Sequence, residues 1–420
     1  MTAPPLFLLG GGLEPHRGPV RRGIGVFVAG GGGHMAPLRY SRRLRFVADA
    51  PESWSADYEP WLRHVLRSKP TAVVVPTNDD HAWRLSRIAG DRHFGTNPVA
   101  VADFDAVRTA SVKSRITTAA ASVGLATPRT QVLRDGSDLT DATDLRFPLM
   151  LKPQMRIGMK HWTRGRLLRN TGELREAFDW YRNEVAFEPA VLADAPEAAF
   201  PLAQEYIVRP GREVRHITGY LARSGESAVR SHRKLLQEPL RFGSGVCFET
   251  TPVDEDLAAR LLGLLRHIGY HGIFEAEFLQ HGGEHLLIDL NVRPYNGLSL
   301  TLASGLDLVT CSYLEASGQL AALSFELEAA RLTPFRPVAW CNHLALMTLL
   351  PGQLLSGGLG PGEARRHLSW AWRNRGRTVN PAVTRDDPRL AVAHLARHVL
   401  SPFVSPREFL GRYVRSGLDR

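Results

Sequence analysis

Gly272-Ile-Phe-Glu-Ala-Glu-Phe-Leu-Gln-His-Gly-Gly-Glu-His-Leu-Leu-Ile-Asp-Leu-Asn-Val-Arg-Pro294 is the stretch whose reading decides the fold. Ile273, Phe274, Phe278, Leu286, Ile288 and Leu290 make it two apolar strands, with Gly282-Gly283 as the turn between them. Side chains alternate faces along a strand, so Asp289, Asn291 and Arg293 share one. A three-residue loop, Gly282-Gly283-Glu284, places Glu277 across from Asp289 and Glu275 across from Asn291. Two carboxylates, an amide and an arginine then converge on one sheet surface. Hard oxygen donors of this kind suit Mg²⁺. A hairpin with its polar face in water carries the same pattern, so the rest of the chain must decide.

The chain has 420 residues, 44% hydrophobic and 22% charged. That is enough for roughly two to four globular domains with buried cores. No apolar run reaches the roughly 20 residues of a membrane span; residues 344–355 come nearest, and Pro351-Gly352 interrupt them. The N-terminus lacks the basic segment that opens a secretory signal. Cys247, Cys311 and Cys341 are odd in number and far apart, which suggests neither a disulfide framework nor a zinc site and fits a cytoplasmic protein. The net charge is +10, yet only five of the 52 basic residues are lysine (Lys69, Lys113, Lys152, Lys160 and Lys234). Arginine is scattered without a basic stripe, which argues against a nucleic-acid surface. The charge does favour anionic small-molecule ligands.

Upstream, residues 6–12, 25–30, 44–48 and 71–75 read as strands, the first two running into glycines, and residues 58–67 as a helix. The alternation predicts a parallel, doubly wound sheet. No G-x-G-x-x-G leads into a clear helix, so a dinucleotide site is not expected. Asn78-Asp79-Asp80 follow a strand's carboxyl end, where such sheets place ligands and where helix caps also sit. Residues 111–124 predict a helix carrying Lys113, and residues 147–153 a strand carrying Lys152. A short strand follows at Leu167, then a helix over residues 173–184. Residues 202–208 and 213–221 are strands joined at Pro210-Gly211, and residues 257–269 an apolar-periodic helix. Beyond about residue 330, prolines punctuate short helices. His394 and His398 there have metal-pair spacing but read as ordinary helix-surface histidines.

The order of these segments resembles the ATP-grasp superfamily, specifically its carboxylate–amine ligase-like branch, over most of residues 1–320. The resemblance implies an α/β and α+β architecture. Residues 1–110 would be an N-terminal α/β domain, 111–205 a lid lobe with its linker helix, 206–325 a second lobe with the Mg²⁺ and ATP site, and 326–420 a mainly helical extension. Lys113 in Ser-Val-Lys-Ser-Arg and Lys152 in Phe-Pro-Leu-Met-Leu-Lys-Pro match the family's phosphate-binding lysines. Gln204-Glu205-Tyr206-Ile207 resembles its adenine hinge, with Glu205 and the backbone near Ile207 as contacts, and Glu213 takes the ribose place. Lys234, in His232-Arg233-Lys234, lies where a basic segment approaches the transferred phosphate. Arg156 or Lys160 would close the phosphate flap.

Glu277, Asp289 and Asn291 correspond to the magnesium ligands and Arg293 to the catalytic arginine; Glu275, on the same predicted face, would orient the nucleophile or extend the metal shell. Asp289 stands where glutamate is usual, so the resemblance implies one or two Mg²⁺ ions, with Mn²⁺ as a substitute. The implied activity is an ATP-dependent ligase joining a small-molecule carboxylate, activated as an acyl phosphate, to an amine. A bicarbonate-activating or thioester-forming enzyme and a non-catalytic nucleotide-binding protein remain as alternatives. A homodimer and a docked acidic carrier protein are open as partners.

Overall fold

The computed structural model describes residues 3–413 apart from 31–32, 90–91, 142–143, 161–164, 208–213, 241–242 and 384–385. Glu213 therefore lies outside the described residues.

The N-terminal sheet is parallel throughout, in the order Arg45–Ala48, Val26–Ala29, Leu6–Leu9, Val73–Pro76. Leu6–Leu9 and Val73–Pro76 are buried along their whole length, as expected of parallel strands covered on both faces. On one face Phe7, Leu9 and Val74 pack with Tyr58, Leu62, Val65 and Leu66, the apolar stripe of helix Tyr58–Arg67. On the other, Leu6, Leu8, Val73 and Val75 share a core with Leu308, Val309 and Cys311, from the helix Leu308–Ala316. The two ends of the fold are thereby tied together.

The helix predicted from residue 111 begins instead at Lys113, after a separate helix Phe104–Ser111. Val112 between them is extended, with φ −90° and ψ 114°. Gln154, fully buried, fixes the break. Its carbonyl accepts the Lys113 backbone N–H at 3.0 Å, and its side-chain oxygen accepts that of Ser114 at 3.1 Å. These bonds satisfy two of the helix's orphan N–H groups. A small antiparallel sheet follows, ordered Thr130–Val132, Leu202–Glu205, Leu149–Lys152, Arg166–Leu168.

The largest sheet has seven strands, in the order Glu284–Asn291, Gly272–His281, Val214–Leu221, Ser227–Glu238, Ser244–Thr251, Ala339–Cys341, Thr378–Val379. The last two come from the mainly helical C-terminal segment: Ala339–Cys341 pairs with Ser244–Thr251, and Thr378–Val379 with Ala339–Cys341. Phe274, Ala276, Phe278 and Leu290 face Leu257, Leu261, Leu264 and Leu265 of the helix Glu255–His267. The opposite face carries the polar residues.

In the acidic hairpin Glu277 pairs with Asp289 and Glu275 with Asn291, the partners expected. The loop that delivers them differs. His281 already pairs with Glu284, so the turn has two residues, Gly282 and Gly283, at φ 59° and 86°. Turns with positive φ at both central positions match the strand twist. A bulge between Glu277 and Phe278 on one strand, opposite Leu287–Asp289 on the other, shifts the register back by one. Without it Ile288 would face Glu277, and Asp289 would point into the apolar core.

Cys247 and Cys341 are buried free thiols on adjacent strands, Sγ to Sγ 3.6 Å. His398 is half-buried: its Nε2 lies 2.7 Å from Thr348 Oγ1, and its ring meets that of Tyr413 edge-on. No helix among the described residues is long and apolar enough to cross a membrane.

Replacing Gly282 and Gly283 together by alanine forces two side chains into the left-handed region, although no atom lies within 4 Å of either new Cβ. The expected loss is about 2 kcal/mol of stability, read as a lower Tm. An unchanged Tm would contradict the turn described.

Candidate active site

A cleft of about 300 Å³ opens between the small sheet and the polar face of the large one. Its floor is made by His216, Glu275, Glu277, Asp289 and Asn291, which belong to two adjacent rungs of the large sheet. One runs His232, His216, Glu277, Asp289 across four strands, and the next Arg230, Thr218, Glu275, Asn291. Alternation puts every one of these side chains on the same surface. Lys113, Lys152, Glu205, Ile207, Lys234, Glu275, Glu277, Asp289, Asn291 and Arg293 all line the cleft.

The two facing acids are each paired with a lysine from elsewhere in the chain. Lys113 Nζ donates to Asp289 Oδ1 at 2.5 Å, and Lys234 Nζ to Glu277 Oε2 at 3.0 Å. Burial would raise the Asp289 carboxyl, but Lys113 and Arg156 outweigh it and hold it far below the carboxylate range. Glu277 is likewise held low, with Lys234 overcoming burial. Both acids are thus anionic at neutral pH, each paired with one ammonium group.

Behind them, Asn291 Nδ2 donates to Glu275 Oε2 at 3.0 Å, and Glu275 Oε1 lies 3.0 Å from His216 Nδ1. This fixes the Asn291 amide with its oxygen on the Arg293 side, where Arg293 Nη2 reaches it at 3.3 Å. Glu275 is buried at 4% exposure and acts as a brace on Asn291. Sequence reading missed His216 and named His232 only within the basic segment, although strand alternation marks His232 as the neighbour of Lys234 on the same face. Burial, then His216 and Lys234, keep His232 neutral. His216, His232 and Glu275 offer ligand atoms within 4.8 Å of one another. The two rings, however, stack at 4.7 Å with planes 16° apart. Their nitrogen lone pairs lie in parallel planes and do not meet at one ion.

Across the cleft, Lys152 Nζ donates to Gln204 Oε1 at 2.7 Å, and Gln204 Nε2 to Thr130 Oγ1 at 2.8 Å. Burial, followed by Lys113, lowers Lys152 to about 7. Glu205 lines the cleft, but its carboxylate is engaged by the Arg146 backbone N–H at 2.9 Å and by Arg129 at 3.3 Å. Lys160 does not reach the cleft: it is exposed, with Nζ 3.8 Å from Glu188. Of the flap residues proposed from sequence, Arg156 is the one at the cleft. Glu14, buried at 6% exposure, was not anticipated. It accepts the Gly297 N–H at 2.9 Å and the Trp340 indole N–H at 2.7 Å, and so sets the loop after Arg293.

No protein-family model matches the sequence, and no curated protein matches it. Solved structures match the fold over most of the chain. A biotin carboxylase–β,γ-ATP complex from Campylobacter jejuni aligns with TM-score 0.59 at 15% identity, covering 74% of this chain and 70% of that one. The biotin carboxylase domain of Hydrogenobacter thermophilus 2-oxoglutarate carboxylase, in complex with MgADP and bicarbonate, gives 0.58 at 16%, covering 76% and 70%. An L-amino acid ligase from Bacillus licheniformis gives 0.58 at 14%, covering 75% and 76%. The chain has the ATP-grasp fold. At these identities the likeness speaks for the fold, and the chemistry must come from the cleft.

The lowered Lys152 makes a directional prediction. A polyanion beside it raises its pKa, so if the cleft takes a nucleoside triphosphate, binding of ATP at about pH 8 takes up a proton that the cleft otherwise lacks. Below about pH 6 Lys152 is already charged and the uptake vanishes. Calorimetry in buffers of different ionisation heat measures this. Proton release, or uptake retained in Lys152→Met, would contradict it.

Proposed function

We propose that the protein is an ATP-dependent carbon–nitrogen ligase that activates a carboxylate as an acyl phosphate and joins it to an amine. One observation carries the reading. Two carboxylates on one rung are neutralised by lysines from two other segments, within one cleft that also holds Lys152 and Arg293. A structural ion-pair network does not require such a cleft. A site for a polyanion with its counter-cation does.

The donor set fits Mg²⁺: two ionised carboxylates and an amide oxygen held by its neighbours, all hard ligands. Glu277, Asp289 and Asn291 would hold the ion, which when bound supplies charge neutralisation on the phosphate oxygens. Lys113 and Lys234, released from their acids, turn to the phosphates, and Lys152 with Arg156 closes on them from the small sheet. The hinge at Glu205–Ile207 supports the base through backbone groups, since the Glu205 carboxylate is already committed.

A substrate carboxylate oxygen attacks the γ-phosphorus, the bond to the β-bridging oxygen breaks, and ADP leaves. The amine then attacks the acyl carbon and expels phosphate. Arg293 offers fixed donors to the oxygens on which charge develops. The chain's contribution to phosphoryl transfer is position and charge, with no covalent step on the protein.

Asp289→Asn should lower ADP formation by at least about 100-fold with an unchanged circular dichroism spectrum. A normal rate would sink the metal assignment. Arg293→Ala should retain ATP affinity while ligation falls by about 100- to 1,000-fold. Lost nucleotide affinity with chemistry spared would contradict its role.

A further inference from the structure

The Arg293 fork already holds a carboxylate. Nε and Nη2 donate to the two oxygens of Asp79 at 2.8 and 3.0 Å, the two-bond geometry that a guanidinium offers to any carboxylate. Asp79 comes from the N-terminal part of the chain. It opens helix Asp79–Ile88 directly after strand Val73–Pro76, at the carboxyl end of the parallel sheet, where such sheets receive ligands.

Its neighbours have structural work. Asn78 caps the helix by accepting the His81 N–H at 2.8 Å. Asp80 accepts the Trp54 indole N–H at 2.8 Å and the Gly158 N–H at 2.9 Å. Asp79 instead reaches across 214 residues of sequence to Arg293. It keeps 36% of its side chain exposed, so an incoming molecule can contact it. Burial would raise its carboxyl, but Arg293 outweighs this and holds it ionised.

We propose that the activated substrate is an α-amino acid, whose carboxylate takes the Arg293 fork while its ammonium takes Asp79. This rests on the ligase reading above and adds to it that Arg293 receives the substrate carboxylate before charge develops on it. The argument is one of charge. A simple carboxylate entering the fork sets two anions around one guanidinium, or strands Asp79 beside Asp289. Arg156, the other cation facing Asp79, lies in the loop that closes on phosphate. A zwitterion resolves the conflict: it inserts its own ion pair into an existing one, carboxylate against guanidinium and ammonium against carboxylate. Every charge keeps a partner. Asp79 thereby separates amino acids from other carboxylates, since a site built for a polar group rejects analogues that lack it.

The test uses the full chain with Mg²⁺ and ATP, and hydroxylamine as a generic nucleophile that converts acyl phosphates to hydroxamates. The twenty common amino acids are compared with their des-amino and N-acetyl counterparts by ADP and hydroxamate yield. Free amino acids should react, and removal or acetylation of the amine should cut kcat/KM by on the order of 100-fold. Asp79→Asn should lower kcat/KM for the best amino acid by a similar factor, spare ATP affinity, and raise kcat/KM for the des-amino analogue, which no longer meets a second anion at the guanidinium. Des-amino acids reacting as well as amino acids would overturn the proposal while keeping the ligase. ATP bound without ADP release from any carboxylate would overturn the ligase itself.

Discussion

Glu277 and Asp289 face each other across a strand pair, and two like charges so placed repel unless cations stand beside them. Lys234 arrives from the next strand but one, Lys113 from a helix start held by Gln154. Each ammonium satisfies one carboxylate. The pairs also tie the hairpin, the helix Lys113–Ser122 and the strand Ser227–Glu238 to one point in space. Removing either lysine would leave an anion in a cleft where burial already opposes charge. The arrangement balances within the protein alone, and balances equally well if a divalent cation takes over the acids and the lysines pass to an anion. That interchange is the physical basis of the proposed reaction.

Much of this was legible in the sequence. Lys152 ends an apolar run, and alternation forces Asp289, Asn291 and Arg293 onto one face. The Glu277–Asp289 pairing was anticipated through a three-residue loop, whereas the chain uses a two-residue turn and a bulge whose effects on register combine to the same pairing. A bulge leaves no residue signature here, because Ile288 suits either a regular or an irregular strand. Lys160 was assigned to the phosphates by its place in the flap segment, but position along a loop does not give the direction of a side chain, and here it lies exposed, 3.8 Å from Glu188. The edge strands Ala339–Cys341 and Thr378–Val379 were hidden among helices, since segments of two or three residues carry no period to read.

What sequence reading could not reach was contact between distant segments. Glu14 follows the glycines after the first strand and resembles a loop acid. Its partners, Gly297 and Trp340, lie some three hundred residues on. Asp79 could be placed at a strand's carboxyl end, but its pairing with Arg293 appears only when the parallel sheet and the large sheet are set together. Both acids tie the N-terminal part of the chain to Arg293 and the loop that follows it.

The central claim is that the cleft transfers phosphate from ATP to a carboxylate oxygen. The measurement that addresses it most directly follows the oxygen itself. An amino acid that supports ADP release is supplied with heavy oxygen in its carboxylate, and the inorganic phosphate released on ligation is analysed by mass. Transfer through an acyl phosphate predicts one heavy oxygen in each phosphate. Phosphate carrying only the ordinary isotope would mean that ATP is hydrolysed or used by another route, and the account would fail.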